Sequence, residues 1–165
     1  MAFLAYGFGR YYFESDTTHS KFIGATLILM NSTMVVFIGI LFRSTLQQYN
    51  ATVGNVYVFT RIFEAIALAS LVLKLFLSVN ISDDFGYYLA MLVLGLGSIP
   101  MCLTLYKHHI TPSWLALWGI IGYSIFAFGF LMEFSGKEWS TYLAILAGLW
   151  EITFAFWLIT RKVKN

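Results

Sequence analysis

The stretch FIGATLILMNSTMVVFIGILF, Phe22 to Phe42, contains no charged residue. It matches the roughly 20 residues that an α-helix needs to cross about 30 Å of hydrocarbon. Four more apolar runs follow: Tyr57 to Val79, Phe85 to Tyr106, Trp114 to Met132 and Trp139 to Ile159. Because lipid offers the backbone no hydrogen bonds, each run must satisfy its own, and these continuous runs lack the alternation of a membrane barrel. The expected fold is all-α: a polytopic transmembrane helix bundle of five spanning helices, preceded by a short N-terminal apolar segment, in one transmembrane domain over residues 1–165.

Composition agrees. Apolar residues make up 59% of the 165 and charged residues 11%, against about 25% charged in a soluble domain. The net charge is +2, and the basic residues form no stripe interleaved with aromatics, which argues against nucleic acid as a partner. The lipid bilayer is the expected partner; a homo-oligomer or a second membrane protein is left open, and the solute is unknown. A single cysteine, Cys102, cannot form an internal disulfide and reads as core packing.

Links such as Asn80 to Asp84 and Glu133 to Glu138 are short, so successive helices should be antiparallel neighbours. Pro100 falls inside the third run, where its missing N–H predicts a kink at Gly97, Ser98 and Ile99. Cytoplasmic flanks hold the excess of Lys and Arg. Arg43, Lys107, Arg161, Lys162 and Lys164 flank one side; Arg10, Lys21 and Lys137 flank the other with Asp83 and Asp84. This balance places the C-terminus in the cytoplasm and the protein in the cell membrane. Trp114, Trp139 and Tyr57, at run ends, read as interface anchors. Met1 to Phe13 is apolar but too short to cross, and Arg10 falls too late for a signal peptide.

Several stretches carry a family resemblance. Asp16-Thr17-Thr18-His19-Ser20, Tyr57-Val58-Phe59-Thr60-Arg61-Ile62-Phe63-Glu64-Ala65, Thr111-Pro112-Ser113-Trp114-Leu115-Ala116-Leu117-Trp118-Gly119 and the ending Leu149-Trp150-Glu151-Ile152 through Trp157-Leu158-Ile159 resemble a family of bacterial integral membrane proteins catalogued as domain of unknown function 4386. The resemblance covers roughly residue 16 to the C-terminus. It implies a six-helix bundle in the bacterial inner membrane, of which the first helix is missing or truncated here, and it implies no activity.

The informative residues are polar ones inside the runs. Arg61 and Glu64 are three apart, on one helix face, about 6 and 10 Å inside the run. Glu151 lies at a similar depth, about 12 Å from Ile159. A charge at the centre of a lipid-facing helix costs roughly 2.5 to 3.5 kcal/mol, so such groups turn inward and pair. Arg61 is therefore expected to bridge Glu64 and Glu151. The other reading has Arg61 snorkelling to the headgroups with Glu64 as a local partner. Ala144, Gly148, Glu151 and Ala155 recur on one face, a small-residue stripe expected to admit a neighbouring helix. Asn31, Ser32 and Thr33, mid-run, are expected to hydrogen-bond between helices or to line a solute path. Lys74 reads as snorkelling outward.

No stretch carries a catalytic or cofactor fingerprint. Adjacent His108 and His109 point about 100° apart on a helix and make a poor metal pair. Gly95-Leu96-Gly97 follows no strand and is not a phosphate loop; its glycines are expected to admit a neighbouring helix. The expectation is a multi-pass membrane protein with no assigned catalytic residue, metal or cofactor. The intramembrane polar cluster Arg61, Glu64, Glu151 and Asn31 is either structural or the site of a small transporter or channel. An intramembrane enzyme acting on a lipid-like substrate ranks third, since no nucleophile and base fall at one depth.

Overall fold

The computed structural model describes residues 8–9, 11–12, 17–77, 83–136 and 139–161. Among them are five long helices: α1, Thr18–Gln47; α2, Ala51–Leu77; α3, Asp83–Lys107; α4, Ser113–Glu133; and α5, Ser140–Thr160. All five contain a segment long and apolar enough to cross a membrane, and no strand is present among the described residues. The chain is a multi-pass membrane protein. Most of the N-terminal apolar segment lies outside the described residues, as do Arg10, Lys137, Lys162, Lys164 and the side chain of Lys74.

The helices start and stop where local chemistry directs. Thr17 Oγ1 accepts from Ser20 N at 3.4 Å and caps α1 four residues before the expected start. Asn50 Oδ1 accepts from Val53 N at 3.2 Å, so α2 begins at Ala51 rather than at Tyr57. Six extra residues move Tyr57 and Arg61 deeper along the helix. Glu133 Oε1 reaches across the α4–α5 link and accepts from Ser140 N at 3.0 Å, so the end of one helix caps the start of the next. At the end of α3, His109 adopts a left-handed φ of 50°. Its N–H donates to Tyr106 O at 3.2 Å, and Ile110 N–H donates to Leu105 O at 3.1 Å. This is the paired Schellman bonding that usually employs glycine. His108 then packs at a tilt against Tyr49 from the α1–α2 link, with ring centroids 4.8 Å apart.

Each helix packs mainly on its chain neighbours, and the α1–α2 and α3–α4 pairs are the most extensive. Glycines set two of the closest approaches. A Cβ at Gly97 would stand 2.7 Å from Thr60 Oγ1, so α3 rides directly on α2 there. A Cβ at Gly39 would stand 2.8 Å from Arg61 Cβ, so α1 gives way to the stem of that arginine. α3 continues as one helix through Pro100, with Thr104 Oγ1 donating to Pro100 O at 2.9 Å.

Ile28, Leu46, Leu68, Met101, Leu105, Leu115, Tyr123, Phe130 and Trp150 fill the interior, and Phe37, Leu41, Phe59, Ile66, Ile145 and Phe156 cover the outside. A helix that is apolar all round has its polar minority as the only guide to its inner face. Ser32 and Thr33 correct one expectation. Their hydroxyls donate to Ile28 O and Leu29 O at 3.0 and 2.8 Å within α1, rather than to another helix. A hydroxyl one turn from its own carbonyl needs no partner elsewhere.

Candidate functional site

Arg61 occupies the centre of the bundle with 5% of its surface exposed. Its three nitrogens are directed separately. Nε donates to Tyr57 OH at 3.0 Å, one turn earlier on the same helix. Nη1 donates to Glu64 Oε2 at 3.0 Å, and Glu64 is 2% exposed. Nη2 faces Glu151 Oε1 at 4.0 Å, a looser approach from α5. The guanidinium carbon also lies 5.1 Å from the centre of the Tyr57 ring, a favourable cation–π distance. The Glu151 side chain is 23% exposed, and its Oε1 accepts from Tyr123 OH of α4 at 3.0 Å. Arg61 thus turns inward, away from any headgroup.

Tyr57 needs correction as an interface anchor: it is buried and serves Arg61. Trp114 and Trp139 are about half exposed at helix ends, where an anchor belongs.

Two cavities meet at this cluster. The larger, about 250 Å³, is lined by residues from all five helices. Arg61, Tyr57, Tyr123 and Glu151 form its polar end; Phe42, Met101, Trp150 and Phe154 are among its apolar walls. The aromatic wall is ordered. Trp150 stacks on Phe154 with centroids 4.8 Å apart, meets Tyr123 edge-on at 5.3 Å, and anchors its indole Nε1 on Leu115 O at 2.6 Å. Gly119 makes that anchorage sterically possible, because a Cβ there would stand 2.7 Å from the Trp150 ring.

The smaller cavity, about 40 Å³, shares Glu151 and Tyr123 with the larger one. Asn31, Glu64, Leu68, Tyr87, Gly148 and Ala144 are among its lining residues. The small-residue stripe is therefore corrected. A Cβ at Gly148 would meet nothing within 4 Å, so the stripe makes room for a cavity instead of seating a helix. Asn31, 4% exposed, has its amide nitrogen without a hydrogen-bond partner.

The remaining candidates lie elsewhere. Pro100 lines neither cavity. Cys102 is buried against Gly119 rather than in either cavity, and no group of three His, Cys, Asp or Glu converges among the described residues. His108 and His109 belong to the link after α3. Arg61, Glu64, Glu151 and Asn31 thus gather around adjoining spaces, while Tyr57, Tyr123 and Trp150 complete the site. Two of these carried a sequence signal. Tyr57 stands four residues before Arg61, and Tyr123 brings a hydroxyl into an apolar run. Trp150 differed in no visible way from other apolar aromatics.

A family model described as a domain of unknown function, DUF4386, matches residues 77–161. That segment contains α3, α4 and α5 with Tyr123, Trp150 and Glu151, while Arg61 and Glu64 precede it. No curated protein and no solved structure matches the chain. The matched segment spans just over half of the sequence, and the chain belongs to the DUF4386 family.

Proposed function

We propose that this protein is a small carrier of the bacterial inner membrane that binds an anionic or protonatable solute with a compact apolar body. One observation carries the reading: a cavity lined by all five helices has a guanidinium and a carboxylate at one end and aromatic walls elsewhere. Ionisable groups inside a membrane protein mark solute and ion paths more often than soluble-protein experience suggests. Its volume, about 250 Å³, lies just under the roughly 300 to 1,000 Å³ of pockets for drug-sized ligands, which favours a small organic acid. Arg61 Nη2 supplies the recognition, since its contact with Glu151 is the longest of the three that the guanidinium makes. A solute carboxylate fits there through a charge-assisted hydrogen bond. Because the occupant touches every helix, its arrival and departure bias how the helices pack. The Lys and Arg balance supports a cytoplasmic C-terminus, with the polar cluster nearer that face.

Thermal unfolding in detergent tests this, with benzoate and hexanoate as probes against wild type, Arg61→Lys and Glu151→Gln. Binding to the native state raises the midpoint by mass action. A probe should raise the wild-type midpoint by a few degrees, and should lose that effect in Arg61→Lys, where the planar fork is gone. If no acid shifts the wild type while Glu151→Gln alone is destabilised, the cluster only holds helices together and the carrier reading falls.

A further inference from the structure

The smaller cavity has a composition that the larger one does not explain. Its polar rim is Asn31 from α1, Glu64 from α2, Tyr87 from α3, Tyr123 from α4 and Glu151 from α5. Around these carboxylates also stand Arg61 and Tyr57, both on α2. An occupant that meets both the unpartnered Asn31 amide and a carboxylate accepts from the first and donates to the second. Water does both; a metal cation cannot accept from an N–H. A space of about 40 Å³, at one water for roughly 10 to 15 Å³ of such volume, accommodates about three molecules. Its lining combines apolar Leu68, Met91, Leu94 and Phe126 with polar Asn31, Glu64, Tyr123 and Glu151.

We propose that this cavity is a hydrated proton site, in which a short file of water joins Asn31 to the Glu64 and Glu151 carboxylates and delivers a proton to Glu151 from a space that Arg61 does not line. The transfer is simple in its balance: a hydronium in the file gives its proton to the Glu151 carboxylate, leaving neutral water and a neutral carboxylic acid. Glu151 lines both cavities. Once neutral, it loses its charge attraction for Arg61 Nη2, which it holds at only 4.0 Å. Tyr123 keeps its hydrogen bond to Oε1, so the side chain stays in place. Arg61 remains held by Glu64 and Tyr57 and presents a free arm to the larger cavity. Proton uptake from the smaller cavity thereby prepares an anion site in the larger one. This link to solute rests on the carrier reading; the proton site does not, and it is tested without any solute.

The experiment is infrared spectroscopy of the full chain in lipid nanodiscs, following the carboxylic acid C=O band that grows on acidification and its shift after a change from H₂O to D₂O. Part of that band should vanish in Glu151→Gln, which assigns it. In wild type the assigned band should shift within the mixing time. Asn31→Leu removes the polar end of the file, and Gly148→Val fills the cavity from a position where a Cβ meets nothing within 4 Å. Each should slow the shift at least tenfold. Gly148→Val keeps the test decisive if Asn31→Leu fails to fold. Absence of a Glu151 band at every pH where the protein stays folded overturns the proposal. So does an exchange rate in Gly148→Val equal to that of wild type. A failure of every acid to stabilise the protein would remove the carrier reading and leave this result untouched.

Discussion

Arg61 is held by groups of unequal strength, and that inequality is testable. Removing one partner of a buried pair typically costs about 3 to 5 kcal/mol, because the other charge is left uncompensated. Arg61→Ala, which strands Glu64 at 2% exposure, should fall in that range when unfolding is followed in detergent. Glu151→Gln keeps an acceptor for Tyr123 and weakens the longer contact with Arg61, so about 1 kcal/mol is expected. In double-mutant cycles the coupling of Arg61 to Glu64 should exceed that to Glu151; the reverse order would contradict the 3.0 and 4.0 Å geometry. At Gly148 an added Cβ meets open space. Gly148→Ala should therefore stabilise by roughly 0.5 to 1 kcal/mol through helix propensity alone, read as a rise in the unfolding midpoint.

The helices are joined by glycine contacts and caps that act over one turn. Gly97→Ala is the same chemical change as Gly148→Ala with the opposite expected sign. Its Cβ would press on Thr60 of α2, and overpacking of this kind costs about 1 to 3 kcal/mol. Measuring both variants in one detergent settles whether α3 sits as close to α2 as described; equal and positive effects would refute it. The end of α3 offers a second test. His109 bears a positive φ that glycine adopts without penalty. His109→Gly should raise the unfolding midpoint, by about 0.5 to 1 kcal/mol of stability. A lowered midpoint would mean that the His109 side chain contributes more than its backbone strain removes.

For the whole molecule, the bundle is a file of neighbouring helices whose centre contains space as well as side chains. Cys102 lies fully buried against Gly119 and makes a native reporter of that integrity. It should resist maleimide in the folded protein and react promptly once denaturant opens the bundle. Rapid labelling under native conditions would show that α3 and α4 part more readily than their packing suggests. Acidic and basic side chains from α2 and α5 meet only because the helices between them bring those two together, which is why the polar site is a property of the assembled bundle.

The runs of apolar residues, by themselves, determined the five helices, among the described residues, that are long and apolar enough to cross a membrane, because hydrocarbon obliges each continuous apolar run to satisfy its own backbone hydrogen bonds. Arg61, Glu64, Glu151 and Asn31 were legible as residues to watch for the same reason: charge and amide are costly in lipid wherever they point. Direction was not legible. Apolar helices with nearly uniform faces carry little periodicity to show which side is inward, so Tyr57 read as an anchor at a boundary when α2 in fact begins six residues earlier. Gly97 admits a helix, as its sequence context led one to expect; the tertiary structure alone decided that Gly148, on a stripe expected to do the same, opens a cavity. Small residues permit close approach, but only the relative placement of whole helices determines whether a neighbour, or space, lies opposite them.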